Sequence, residues 1–119
     1  MTMNISISTG AFYRYNYKEI IEIISQTSCS EIELCLNNTF VDIPFTDIIK
    51  EIEKKNLTVH SIHTPFEFLW KPNEDEKIWI NKSIDLAKSL GAKIITTHDA
   101  LNNSLQLVRN ALRRGQHNV

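Results

Sequence analysis

The chain has 119 residues, 42% hydrophobic and 23% charged, with a net charge of −1. This suits one small domain of ordinary globular composition. It excludes the basic excess or stripe of a typical nucleic-acid binder, and no apolar run approaches the ~20 residues of a membrane span.

The start, Met1-Thr2-Met3-Asn4-Ile5, has no basic segment followed by an apolar one, so no signal peptide is expected. Ile5 to Ser8 alternates apolar and polar, the period of a strand. After a loop through Thr9-Gly10, Tyr17 to Gln26 carries Ile20, Ile21, Ile23 and Ile24, a helix with a broad apolar face despite its β-branched content. Glu31 to Leu36 alternates again and reads as a second strand. Cys29 and Cys35 are the only cysteines. They match neither a metal-ligand spacing nor a disulfide scaffold, and are expected to be reduced thiols in a cytoplasmic protein.

Pro44 and Thr46 lead into a second helix, Asp47 to Lys55, with Ile48, Ile49 and Ile52 on one face and Asn56 as its stop. Leu57 to Ile62 is the third strand. A longer loop, Thr64 to Lys71, then holds Pro65, Phe66, Phe68 and Trp70. The helix that follows is expected to be capped by Asn73, with Glu76 answering as in a capping box. Its apolar stripe is Ile80, Ile84, Ala87 and Leu90, and Gly91 ends it. Lys93 to His98 is the fourth strand. A last helix, capped by Asn103 or Ser104, carries Leu105, Val108 and Leu112 and closes at Gly115. The basic trio Arg109, Arg113 and Arg114 on it reads as a solvated face. One domain over residues 1–114 and a tail over 115–119 are therefore expected.

Strands alternating with helices imply parallel pairing and right-handed crossovers. An open doubly wound sheet would carry a glycine-rich turn after its first strand. This chain has three glycines, at 10, 91 and 115, and no such turn. Open parallel sheets are also buried on both faces and nearly continuously apolar. Here Ser6, Ser8, Glu31, Glu33, Cys35, Ser61, His63, Thr96 and His98 recur on alternating positions. The fold class is α/β: four βα units with parallel strands, as in the first half of a (β/α)₈ barrel. Since a complete barrel needs ~200 residues or more, either further chain or a second copy would close it, unless the four strands form an open sheet.

Three segments carry a family likeness. "LTVHSIHTPF" resembles the H-x-P strand exit of xylose isomerase-like TIM barrels, a superfamily that includes sugar-phosphate isomerases and epimerases and endonuclease IV-type (AP endonuclease family 2) enzymes. "SLGAKIITTH" resembles the next strand of that family, and "CSEIELCL" its second, where a Glu is frequent. The resemblance runs from about residue 4 to 114, in register with the N-terminal half of the barrel. It departs after His98, where Asp99-Ala100 replace a frequent Pro-Gly. The family also draws most of its metal ligands from later strands, which would lie beyond Val119.

The resemblance implies divalent-metal-assisted chemistry (Zn, Mn or Mg) on a small polyol or sugar phosphate, with an incomplete ligand set in this chain. His63 and His98 are the expected metal ligands. Side chains alternate along a strand, so His63 shares a face with Ser61 and Val59, and His60 is expected to pack outward under the helices. Glu33, Phe66 and Trp70 are the expected substrate contacts, with Phe68 beside them. The expected partners are the substrate and either a second copy or a C-terminal half, with no membrane and no nucleic acid. An endonuclease IV-like phosphodiesterase and a self-associating, non-catalytic domain are the alternatives.

Overall fold

The structure is a computed structural model, and it describes residues 5–97. His98, the expected last helix and the tail lie outside them.

The described elements are β1 (Ile7–Ser8), α1 (Tyr17–Ser25), β2 (Glu31–Cys35), α2 (Phe45–Lys54), β3 (Thr58–His63), α3 (Glu76–Leu90) and β4 (Ile94–Thr96), with short 3₁₀ turns at Thr9–Phe12 and Glu67–Leu69. All pairs of neighbouring strands are parallel, and the sheet order is β1-β2-β3-β4. Sequential order with right-handed crossovers puts every helix on the same side of the sheet. Ile32, Leu34, Val59, Ile62 and Ile95 form that side. They share one core with Ile20, Ile21 and Ile24 of α1, Ile48 and Ile52 of α2, and Trp79, Ile80, Ile84 and Ala87 of α3. The other side carries Ser8, Glu31, Glu33, Cys35, Ser61, His63, Ile94 and Thr96. This is the singly wound arrangement of half a barrel; a doubly wound sheet would have helices on both faces.

Local signals explain the boundaries. The Asn16 side chain caps α1 by accepting from the Glu19 amide at 2.9 Å. Three isoleucines of α1 are fully buried, so packing overrides the cost of β-branching. The α2 helix starts at Phe45, two residues before the expected Asp47, because the Pro44 carbonyl already accepts from Asp47 and Ile48. Asn56 adopts φ 55°, and Gly91 φ 72° at the end of α3. A Cβ at Gly91 would meet nothing, so the backbone angle alone favours glycine there. The β1 strand is shorter than expected, since pairing reaches only Ile7 with Ile32 and Ser8 with Glu33.

Two expectations are corrected. The cap of α3 is Asp75, whose carboxylate accepts from the Ile78 amide at 2.8 Å; Asn73 stands two residues too early. The second concerns parity. Ile32 pairs with Val59, but Glu33 pairs with Ser61, so β3 spends one extra residue, His60, at that point. Val59 therefore shares the helix-covered face with Ile62, and is 2% exposed. His60 instead turns to the open face, where its Nδ1 lies 3.0 Å from Glu31 Oε1.

The loop before α3 is organised by Glu74, whose side chain is only 10% exposed. It accepts from the Lys71 amide at 2.7 Å, the Trp79 indole N–H at 3.1 Å and Lys82 Nζ at 3.1 Å. The Lys71 amide bond first, then Lys82 and Trp79, hold its carboxyl below the usual carboxylate range against the opposing effect of burial.

Asp75→Ala is expected to cost ~1 kcal/mol in urea denaturation, and Asn73→Ala much less. Because the Glu74 pKa is lowered on folding, its stabilisation is complete above the ordinary carboxylate value and is lost as pH falls through the lowered one. Glu74→Gln should reduce the melting temperature at neutral pH and narrow its gap from wild type on acidification, read by thermal melts across that range.

Candidate functional site at the strand C-termini

Parallel α/β architectures place ligands at the C-terminal ends of their strands, where the βα loops converge. At that end lies a cavity of about 310 Å³ lined by Gly10, Cys35, Leu36, Asn37, His63, Thr64, Pro65 and Phe66. Larger hollows exist elsewhere. One of about 380 Å³ lies among Pro44, Phe45, Lys71 and Trp79 on the helical side, and one of about 500 Å³ at the opposite strand ends, around Ile7, Cys29 and Glu31. The first is walled by the β2–α2 and β3–α3 connections and by α3, the second by the entry ends of the strands, and neither is lined by Cys35, His63 or Thr64.

Three exits build the cavity. After β1, the buried Thr9 hydroxyl accepts from the Cys35 amide at 2.9 Å, tying the first exit to the second. Gly10 follows, and a Cβ there would come within 3.2 Å of Cys35 Sγ and 3.3 Å of Ser8 Oγ. Beyond β2, Asn37 folds its own turn by accepting from the Thr39 amide at 3.0 Å. At the end of β3, His63 is the register partner of Cys35 on one side and of Thr96 on the other. Its Nδ1 is 3.3 Å from the Thr64 carbonyl oxygen, and its ring is 6.4 Å from that of Phe66. A proton on Nδ1 donates to that carbonyl, and this tautomer puts the lone pair on Nε2.

The expected site residues separate on this geometry. His63 and Phe66 line the cavity. Phe66 is 46% exposed and stacks at 5.6 Å on Phe68, itself 81% exposed. Glu33 stands on the open face beside Ser8 and Ser61, below the cavity lining. Trp70 is not brought to the cavity. It packs against the core, and its indole N–H donates to the Pro65 carbonyl at 3.3 Å, bracing the loop. His98 lies outside the described residues. Asn37 and Gly10 line the cavity without having been singled out as site residues. The available signal was position, since each follows a strand's last residues as Thr64 does.

Among the described residues, no group of three or more His, Cys, Asp or Glu side chains could hold a metal ion. His63 and Cys35 are donors on one face of adjacent strands, which is a partial set and not a coordination shell. Neither cysteine is in a disulfide. No described helix is long and apolar enough to cross a membrane.

No family model and no curated protein matches the sequence. Solved structures do. An AP endonuclease, family 2, from Brucella melitensis aligns with a TM-score of 0.59 at 11% identity, over 90% of this chain and 45% of its own. A sugar phosphate isomerase/epimerase from Parabacteroides distasonis aligns with a TM-score of 0.49 at 16% identity, over 89% of this chain and 47% of its own. The fold is therefore half of a TIM barrel. The chain spans under half the length of either neighbour.

Trp70→Ala is expected to destabilise the chain by roughly 2 kcal/mol through lost packing. Phe66→Ala, at a half-exposed ring, should shift the urea midpoint far less. Equal shifts would place Phe66 in the structural core and not at the cavity wall.

Proposed function

We propose that this chain forms half of the active-site mouth of a sugar or sugar-phosphate isomerase or epimerase. One observation carries the reading: His63 ends β3 inside a strand-exit cavity, on the sheet face left free of helices. In that reading, a small polyol lies across the cavity. Phe66 offers an apolar wall to its C–H face, and Asn37 with His63 offers hydrogen bonds to hydroxyl oxygens. His63 presents its Nε2 to a substrate oxygen or to a metal while the Thr64 carbonyl fixes the ring. Glu33 would contact the substrate only once further strands closed the face.

A divalent metal belongs to the same reading. When bound it would polarise substrate oxygens and ease proton transfer beside a carbonyl. His63 is the described residue placed to donate to it, with His98 as the companion expected from the sequence. The described donors do not complete a shell, so this chain alone is expected to be inactive. The absent strands, from further chain or a second copy, would supply the remaining carboxylates. A cytoplasmic setting fits the two reduced thiols.

The fold likeness to the family 2 AP endonuclease supports a second reading, a metal phosphodiesterase. The net charge of −1 argues for the sugar, because phosphate-backbone binding draws on a basic groove.

Calorimetric titration with Zn²⁺ and Mn²⁺, with and without a polyol phosphate, tests the proposal. His63→Ala should weaken metal binding about tenfold or more; unchanged binding would sink the ligand role. Salt-sensitive binding to abasic DNA would favour the phosphodiesterase. Absence of both metal and sugar binding would leave a non-catalytic, self-associating domain.

A further inference from the structure

Below the mouth, the sheet face left free of helices is acidic. Glu33 lies in one register row with Ser8, Ser61 and Ile94. It is half-buried, and among the described residues nothing hydrogen-bonds or ion-pairs with it. Two positions earlier, Glu31 has the His60 imidazole at 3.0 Å. None of the four described strands contains a lysine or arginine. At this level of the sheet, two carboxylates therefore stand with one imidazole. Water solvates Glu33 while the face is open, and a cover would take that water away. Among the described residues β1 and β4 are the edges of the sheet, open to further pairing. Closure to eight strands leaves an interior just wide enough for the inward side chains to fill. A second copy, turned by half a turn about the barrel axis, would pair β4 with its partner's β1 at both seams and keep all strands parallel. It would also bring a second Glu33 and a second Glu31 into the same interior. Carboxylates taken out of water need a counter-charge, and a like charge beside them adds to the cost.

We propose that the open face is the docking surface of a complementary four-stranded βα half, different in sequence from this chain, that carries a lysine or arginine into the Glu33 row. Ser8 and Ser61 flank Glu33 with short side chains, which leaves room for a long cationic one to reach it from the far wall. Ile94, in the same row and 46% exposed, offers apolar contact at the β4 seam. The inference rests on the half-barrel part of the reading above, and it chooses between the two sources of the absent strands left open there. The carboxylates asked of the missing half stand at the strand exits, level with the Cys35–His63–Thr96 row. The cation stands one row lower, where it meets Glu33 and not a metal.

The test is sedimentation velocity at neutral pH with a chelator present, using a Glu33→Lys copy of this chain as the stand-in for the complementary half. An equimolar mixture of wild type and Glu33→Lys should dimerise with a Kd about tenfold or more below that of wild type with itself. Glu33→Gln with itself should fall between the two, and Glu33→Lys alone should stay monomeric, because two lysines then meet. Circular dichroism confirms that each variant is folded. Wild type that self-associates as tightly as the mixture would make a second copy the occupant and overturn the proposal. Equal affinities across the series would show that Glu33 is not covered, and no association in any mixture would remove the face as a seat for a half barrel; either result overturns it. Should Glu33→Lys fail to fold, wild type against Glu33→Gln decides, since the neutral variant must self-associate several-fold more tightly. Metal and polyol titrations read a separate property, so this inference and the isomerase reading can fail independently.

Discussion

The site depends on one extra residue in β3. Between the pairs Ile32–Val59 and Glu33–Ser61, the strand advances two positions against one on β2. Side chains alternate with period two, so a one-residue slip exchanges faces for everything on one side of it. Below the slip, Val59 joins the core under the helices. Above it, Ser61 and His63 keep to the open face and Ile62 is fully buried. Without the slip, burying Val59 would have turned His63 under the helices. The extra residue itself, His60, meets Glu31 on the open face and gives that carboxylate a partner.

Everything at the mouth follows from that choice of face. With helices on one side only, the polar side of the sheet need not be filled by apolar packing, and donors and acceptors can collect where the strands end. The exits are then joined to each other rather than left as separate loops. Thr9 bonds to Cys35, the Leu36 amide donates to the His63 carbonyl at 3.0 Å, and the Thr64 amide to that of Thr96 at 2.9 Å. These bonds carry the sheet's register one step past its regular ladder, so the cavity walls are as fixed as the strands. Farther out, Trp70 anchors the loop over the cavity and Glu74 pins the approach to α3. The aromatic pair Phe66 and Phe68 is thereby held on a braced segment.

Much of the architecture could be read from the chain. Every described strand and helix was legible from periodicity, and the stops at Asn56 and Gly91 from residues that tolerate left-handed backbone. Errors fell where two local signals competed. Asn73 and Asp75 can both cap a helix, and only the fold decides which carbonyls and amides the chain presents. Trp70 shows a different limit: an aromatic residue in a loop looks the same in the sequence whether its ring faces a ligand or packs on the core, and here it packs on the core.

The sequence by itself determined the order and type of the described elements and the collection of polar side chains at the strand ends. These rest on short-range patterns: alternation, helical spacing, caps and glycine. Only the tertiary structure decided that His60 faces Glu31, that Trp70 turns to the core, and that Gly10, Asn37, Cys35 and His63 share one cavity. Those facts are set by pairing between strands, and a register shift leaves no mark in the period of a single strand read alone.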